Sequence, residues 1–398
     1  MTDKKKVLLF STLNPYPFWA GSENLWFDFV RDERVKEVAS FKIMLADSPV
    51  TRAKGHILNT NGAITSYYKH FNADAIGRNL YRIKDKVQGK SVRTLPWYNE
   101  IANGRYGLVW LNVAGLHDLK DLFYATQLCK RSNTPYWLFL QHGFEDFFLT
   151  SQEELDRVID VACSAKRFIF IADRNRSSLE RAIGLQLNNA SRSVNAISAS
   201  RISEGARVVN NSRDTDSRLR FFNLGRFAPR DKAQHLLLES FTGNNWKGRD
   251  WELNFIGVSG FGKDYLEKLI SYYGLDNRRV NIIPHTDKVF EEIAKNDVLL
   301  MPSMSEGTPF AMVESMACGK PAMGTPVGRI PELISDGNTG WISRTIAIED
   351  IITCIERAWE QKEEWRSMGA KARTFIATNY NEAHSFPPLL QFLEEDAQ

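Results

Sequence analysis

Short runs of continuously apolar residues recur along the chain, and the segments between them have helical periodicity. Residues 7–10, 41–46, 108–113, 136–140 and 168–172 form one series; 221–224, 253–256, 280–283 and 298–301 form a second. An apolar run without alternation reads as a strand buried on both faces. Such strands alternating with helices predict parallel sheets covered on either side. Between the two series lies NNSRDTDSR, residues 210–218, which is polar and aperiodic and reads as a linker. A chain of 398 residues is too long for one ordinary core. The expected fold class is therefore α/β, with two doubly wound domains at residues 1–209 and 210–383. A last helix, around 384–398, is expected to pack back onto the first domain. Paired domains of this kind bind ligands at the carboxyl ends of their strands, in the cleft between them.

Composition narrows the function classes. A net charge of +3 is too small to argue for nucleic acid as the partner. Cys129, Cys163, Cys318 and Cys354 are scattered, with no Cys-x-x-Cys pair, which argues against a zinc site or a disulfide framework and fits a reducing compartment. The N-terminus has a basic start but only VLLF before Ser11, shorter than the apolar core of a signal peptide. No apolar run approaches the ~18 residues of a spanning helix. A cytoplasmic protein is expected.

The stretch SEGTPFAMVESMACGKP, residues 305–321, directly follows the last strand of the second series. Residues 303–307 read as a loop holding Glu306, with Thr308 as N-cap and Pro309 at the first helical position. Phe310, Val313 and Ala317 then share one helix face, Glu314 projects from the second turn, and Gly319 terminates the helix. Free N–H groups around 307–310 make an anion site at a helix N-terminus. A diphosphate seated there would leave one flank to each glutamate, the layout of a sugar, a diphosphate and a ribose. On spacing alone, an ordinary helix start whose acids complement its dipole accounts for the pattern equally well.

The residues themselves carry more than spacing. SEGTPFAMVESMACGKPAMGTPVGRIPELISDGNTGWI, residues 305–342, resembles the retaining family-4 glycosyltransferases of GT-B fold, whose signature is two glutamates separated by seven residues. LGRFAPRDKAQHLLLESF, 224–241, is similar to that family's Gly-Arg…Lys segment, and QHGFED, 141–146, to the segment carrying its first-domain histidine. FWAGSENLWFDF, 18–29, is similar to its first glycine loop, with Ala20-Gly21 where a Gly-Gly pair is common. SMGAKARTFIATNYN, 367–381, resembles its C-terminal region, whereas VNAISASRIS, 194–203, stands where a Pro-Asn-Gly turn is usual. The resemblance implies two Rossmann-like doubly wound domains facing across a cleft. It also implies transfer of a sugar from a nucleoside diphosphate sugar to an acceptor hydroxyl, with retention by front-face attack.

By that resemblance Arg226 and Lys232 meet the donor diphosphate, where fixed cations stabilise the departing β-phosphate without a metal. Glu314 takes the ribose hydroxyls and Glu306 the donor sugar, with Gly307, Thr308, Phe310 and Ala311 near phosphate and sugar. His142, past a strand end, contacts the sugar near the reacting carbon. Gly21 and Ser22 suit close backbone approach by phosphate or acceptor, or a merely structural turn. His285 lies where the family holds the base. DTD, 214–216, matches a metal-binding motif of another glycosyltransferase class, but it sits in the linker and no metal site is expected.

No cofactor is expected beyond the donor, with a UDP-sugar favoured and a GDP-sugar second. The acceptor partner is a glycan, a glycolipid or a small hydroxylated molecule, in glycan, cell-surface polysaccharide or glycolipid synthesis. Residues 67–93 mix aromatic and basic side chains; they suit peripheral contact with the inner face of a membrane, or a solvated helix and loop. Oligomeric state is not encoded in these patterns. A nucleotide-sugar epimerase of the same fold and a non-catalytic nucleotide-sugar binder are the alternative functions.

Overall fold

The computed structural model describes residues 4–396 apart from 12–22, 69–99, 103, 145–146, 196, 212–217, 259 and 385. In the first half, β1 (Lys5–Ser11), β2 (Ala39–Ala46), β3 (Ile64–Tyr68), β4 (Leu108–Val113), β5 (Tyr136–Leu140), β6 (His142–Phe144), β7 (Arg167–Phe170) and β8 (Ala190–Arg192) alternate with helices. Seven of them form a parallel sheet in the order β3-β2-β1-β4-β5-β7-β8. In the second half come β9 (Leu219–Leu224), β10 (Trp251–Ile256), β11 (Val280–Ile283), β12 (Val298–Met301), β13 (Ser305–Gly307), β14 (Ala322–Gly324) and β15 (Gly340–Ile342). Six of these make a second parallel sheet, ordered β11-β10-β9-β12-β14-β15. Each apolar run of the sequence is a strand. The short β8, β14 and β15 lie at or next to a sheet edge and carry no long apolar run to announce them.

The central strands are largely apolar because both faces are covered. In the first domain, Leu111 and Leu138 face one buried cluster while Trp110 and Trp137 face another. The second cluster is completed from the far end of the chain. Phe386, Leu389 and Leu393 of the helix Phe386–Glu395 pack with Val7, Leu9 and Trp110 of the first domain. Asp396 secures that helix, accepting from Trp137 Nε1 at 2.7 Å and Arg167 Nε at 3.1 Å. The crossing in the other direction begins before 210. Ile197, with Val194, Ile202, Val208 and Val209, packs in the second domain's core, which places the helix Ala199–Asn211 there. The expected boundary at 209/210 thus falls inside a helix already committed to the second domain, because its apolar face finds cover only on that side. The expected linker lies largely outside the described residues.

The two domains also meet at one backbone pairing. Residues 303–307 are not the open loop that the sequence suggests. Part of this stretch, β13, pairs antiparallel with β6 of the first domain, Ser305 opposite Phe144, Glu306 opposite Gly143 and Gly307 opposite His142. Glycine makes the approach feasible, since a Cβ on Gly307 would stand 1.8 Å from the carbonyl oxygen of Gln141. The ribbon is braced from behind by Gly328, at φ +51°, whose absent Cβ would meet Glu306 O at 2.4 Å. Arg329 N–H then donates to Gly307 O at 3.0 Å.

Gly307→Ala should therefore force the ribbon apart. We expect a loss of about 1–3 kcal/mol, typical of overpacking against an unyielding neighbour, read as a lower unfolding midpoint. Small-angle scattering should show a larger radius of gyration. An unchanged midpoint and radius would mean that the ribbon does not hold the domains together.

Candidate active site

Past β12, Pro302 ends the strand and the chain turns into β13, which delivers Glu306 to the cleft. Its carboxylate is only 3% exposed, and Oε1 accepts from Lys232 Nζ at 2.6 Å and from Ser303 Oγ at 2.7 Å. A buried carboxylate needs such partners, because desolvation without them would cost several kcal/mol. Lys232 is aimed by its own loop. The turn Pro229–Lys232 ends at Ala233, a non-glycine residue at φ 47°, and the helix Gln234–Ser240 follows. Gln234, fully buried, ties this loop down: its Nε2 donates to Arg226 O at 2.8 Å and its Oε1 accepts from Ala228 N–H at 3.2 Å. Strain at Ala233 is the kind that is held where surrounding structure over-determines the backbone.

Across the ribbon stands His142. Ser305 Oγ donates to Gly143 O at 2.6 Å and lies 3.2 Å from His142 Nε2. A hydroxyl has one proton to give; with that proton on Gly143 O, the Nε2–H of His142 must be the donor to Ser305. Burial lowers the His142 pKa, opposed by the nearby Glu306 and reinforced by Lys232, so the ring is neutral at pH 7. His142, Ser305, Glu306 and Lys232 are thus one contiguous group drawn from both domains.

The helix Phe310–Ala317 starts one residue later than expected. Pro309, at φ −74° and ψ 92°, is its N-cap residue, and the carbonyl of Pro309 accepts from Met312 and Val313. Thr308 is thereby displaced from the capping position, and its Oγ1 is buried with no partner among the described residues. The N–H groups of Phe310 and Ala311 precede the first intrahelical bonds, the positions at which a helix offers donors to an anion. The buried face is Met312, Val313, Met316 and Ala317, with Phe310 only partly covered. The helix ends as expected: Gly319 at φ +75° donates to Met316 O and Lys320 N–H to Ser315 O, a Schellman closure. Glu314 is nearly buried and ion-paired with Arg201, whose guanidinium also lies 5.0 Å from the centre of the Phe290 ring. Burial raises the Glu314 pKa, and Arg201 opposes that shift.

The remaining expected site residues are more exposed or lie outside the described residues. Arg226 stands at the rim, 72% exposed, with its guanidinium 3.8 Å from Asp231. His285 follows the edge strand β11 and is 44% exposed, 3.7 Å from Asp287; two strands separate it from the Glu306 turn. Gly21 and Ser22 lie outside the described residues, as do Asp214, Thr215 and Asp216 and nearly all of the 67–93 region. Among the described residues no helix is long and apolar enough to cross a membrane. Sequence reasoning passed over Arg201, Ser303, Ser305 and Gln234, none of which belongs to a recognisable spacing. The Gly328-Arg329 pair was visible within the 305–342 stretch, but the contact it makes is tertiary.

The arrangement offers a cation, a carboxylate and a neutral imidazole around one point of the cleft, with a helix N-terminus beside them. Residues 209–375 match the family described as glycosyl transferases group 1. Among curated relatives, N-acetyl-alpha-D-glucosaminyl L-malate synthase from Bacillus anthracis is 35% identical over 98 residues, 25% of this chain and 26% of that protein. D-inositol 3-phosphate glycosyltransferase from Paenarthrobacter aurescens (strain TC1) is 30% identical over 131 residues, 31% of each protein. The chain thus spans 26% and 31% of the length of these two relatives. A solved structure of Anabaena HepE in complex with UDP superposes with a TM-score of 0.69 at 16% identity, covering 98% of this chain and 100% of that one. The chain therefore carries a glycosyl transferases group 1 domain, residues 209–375, within a GT-B fold.

Proposed function

We propose that this protein is a retaining glycosyltransferase that moves a sugar from a nucleoside diphosphate sugar to an acceptor hydroxyl. The observation that carries the reading is the Lys232–Glu306 pair, set against His142 by the interdomain ribbon. The diphosphate would lie over the N–H groups of Phe310 and Ala311 with Arg226 closing from the rim. Glu306 would accept hydroxyls of the transferred sugar and Glu314 those of the ribose, Arg201 giving way or sharing the carboxylate. His142, neutral and held by Ser305, would face the anomeric carbon. The acceptor would enter from the first-domain side and attack the face from which the diphosphate leaves, its proton passing to the departing phosphate oxygen. No enzyme carboxylate then has to act as nucleophile. UDP is the first nucleotide to test, a choice supported by the UDP-glucose complex of the Anabaena protein. The acceptor class is a hydroxylated glycan, glycolipid or small molecule.

Negative charge on the β-phosphate grows as the glycosidic bond breaks, so a cation there favours the transition state over the bound donor. Lys232→Ala should lower kcat by about 100-fold or more with a smaller change in donor KM. That substitution also strands the Glu306 carboxylate, so the double variant Lys232→Ala, Glu306→Gln, compared with Glu306→Gln alone, separates the two effects. A sharp rise in KM at unchanged kcat would reduce Lys232 to a binding residue.

Fixed cations in this role make a divalent metal unnecessary. Transfer from UDP-sugar to a panel of hydroxylated acceptors, followed by mass spectrometry, should proceed at the same rate after chelation with EDTA. Activity that stops with EDTA and returns with Mg²⁺ or Mn²⁺ would contradict this. Release of an epimerised nucleotide sugar with no transfer product would replace the transferase reading.

A further inference from the structure

A second polar assembly runs along the first domain's crest and ends on the segment that crosses to the second domain. Glu23, one residue before the helix Asn24–Phe29, is buried. Its Oε1 accepts from Ser11 Oγ at 3.0 Å and from Asn112 Nδ2 at 2.8 Å. The Oδ1 of Asn112 accepts from Gln141 Nε2 at 2.8 Å, and the Oε1 of Gln141 accepts from Asn195 Nδ2 at 2.9 Å. Ser11, Asn112, Gln141 and Asn195 are all buried. Three amides therefore donate in one direction, from Asn195 to Gln141 to Asn112, and the chain terminates on Glu23.

Its placement is informative. Ser11 ends β1, Asn112 lies near the end of β4, and Gln141 is the residue between β5 and β6. Gln141 precedes His142, and its backbone oxygen is the one against which Gly307 packs. Asn195 lies on the segment that crosses to the second domain, two residues before Ile197, whose N–H donates to Tyr380 O at 2.9 Å. A row of buried amides is less stable than well-packed apolar residues of the same volume, so its value lies in fixing a geometry.

We propose that Glu23 is a positioning residue: as terminal acceptor of this amide chain it fixes Gln141, and through Gln141 both the His142 imidazole and the seat of the interdomain ribbon. The proposal deepens the transferase reading and rests on it for the role of His142. Among the described residues the groups facing Glu23 are Ser11 from β1, Trp26 from its own helix and Asn112 from β4, none of which carries charge to neutralise a carboxylate. Burial accordingly pushes its pKa up to about 8, opposed by the hydrogen bonds from Ser11 and Asn112. The protonated side chain still presents a carbonyl oxygen to Ser11 and Asn112, and so would glutamine.

The test compares Glu23→Gln, Glu23→Ala and Asn195→Ala with wild type, all as full-length chains. Hydrogen exchange without ligand reads the geometry directly. In Glu23→Ala, amides at 141–144 and 194–197 should exchange about 10-fold faster or more, those of β12 should not, and Glu23→Gln should behave as wild type. Asn195→Ala breaks the chain at its other end and should loosen 141–144 on its own, which keeps the test alive if Glu23→Ala fails to fold. Kinetics should follow, with kcat of Glu23→Ala down about 10- to 100-fold while the UDP affinity, set in the second domain, stays within about twofold. The pH dependence has a definite sign. Stability contributed by a proton held to about 8 in the fold, against 4.5 for an ordinary glutamate, is full below 4.5 and lost as pH rises through 8. The unfolding midpoint of wild type should therefore fall relative to that of Glu23→Gln over that window. Unchanged exchange at 141–144 in Glu23→Ala, or a Glu23→Gln variant as loose as Glu23→Ala, would overturn the proposal. Exchange and unfolding need no turnover, so an inactive wild type would count against the transferase reading and not against this one.

Discussion

The site depends on a backbone contact made where a side chain is missing. Gly307 lies against the carbonyl of Gln141, with no room for a Cβ, and the strand it belongs to pairs with the strand that begins at His142. That contact places Glu306, Ser305 and His142, while Lys232 is aimed by the loop that Gln234 holds. Glu306 is the neighbour of Gly307 on one strand, His142 the neighbour of Gln141 on the other, and Ser305 bridges them through Gly143. Two doubly wound domains connected only by crossing segments would leave these groups free to separate. The ribbon converts a hinge into a defined geometry, and Gly328 with Arg329 keeps its outer strand from relaxing away.

Electrostatics orders the cleft. Glu306 and Glu314 both lie in surroundings where an isolated carboxylate would be costly, and each is matched with a cation from another element, Lys232 and Arg201. A ligand rich in hydroxyls and phosphate oxygens can replace these pairings with charge-assisted hydrogen bonds of similar quality, hydroxyls to the carboxylates and phosphate to the cations. The self-paired state thus prepays the desolvation of the groups that would grip a nucleotide sugar.

Much of the architecture was legible because it rests on local patterns. A run such as that at 108–113 can be buried on both faces only in a covered parallel sheet, and Gly319 ends a helix by a rule of backbone conformation. The ribbon was not legible: three residues on each side, with no alternation, become strands only when the domains meet. Thr308 read as an N-cap because its side chain suits one, but Pro309 adopts the extended ψ that sets the helix start a residue later. The Ala199–Asn211 helix crosses the expected boundary because its cover lies in the second domain. Pairing of Glu314 with Arg201, and the clamp of Gln234 on Arg226 O, join residues whose relation exists only in the folded chain. Arg226 and His285 occupy strand ends as their sequence positions imply, yet the Arg226 side chain is largely exposed, and strand order sets His285 two strands away.

The central claim is that the cleft holds a nucleotide sugar lengthwise between two glutamates. A crystal structure with a non-hydrolysable UDP-sugar tests it most directly. The account predicts ribose hydroxyls on Glu314, the diphosphate over the N–H groups of Phe310 and Ala311 with Lys232 on the β-phosphate, and the sugar between Glu306 and His142. A nucleotide seated away from the Phe310–Ala317 helix, with Glu306 still closed on Lys232, would contradict it.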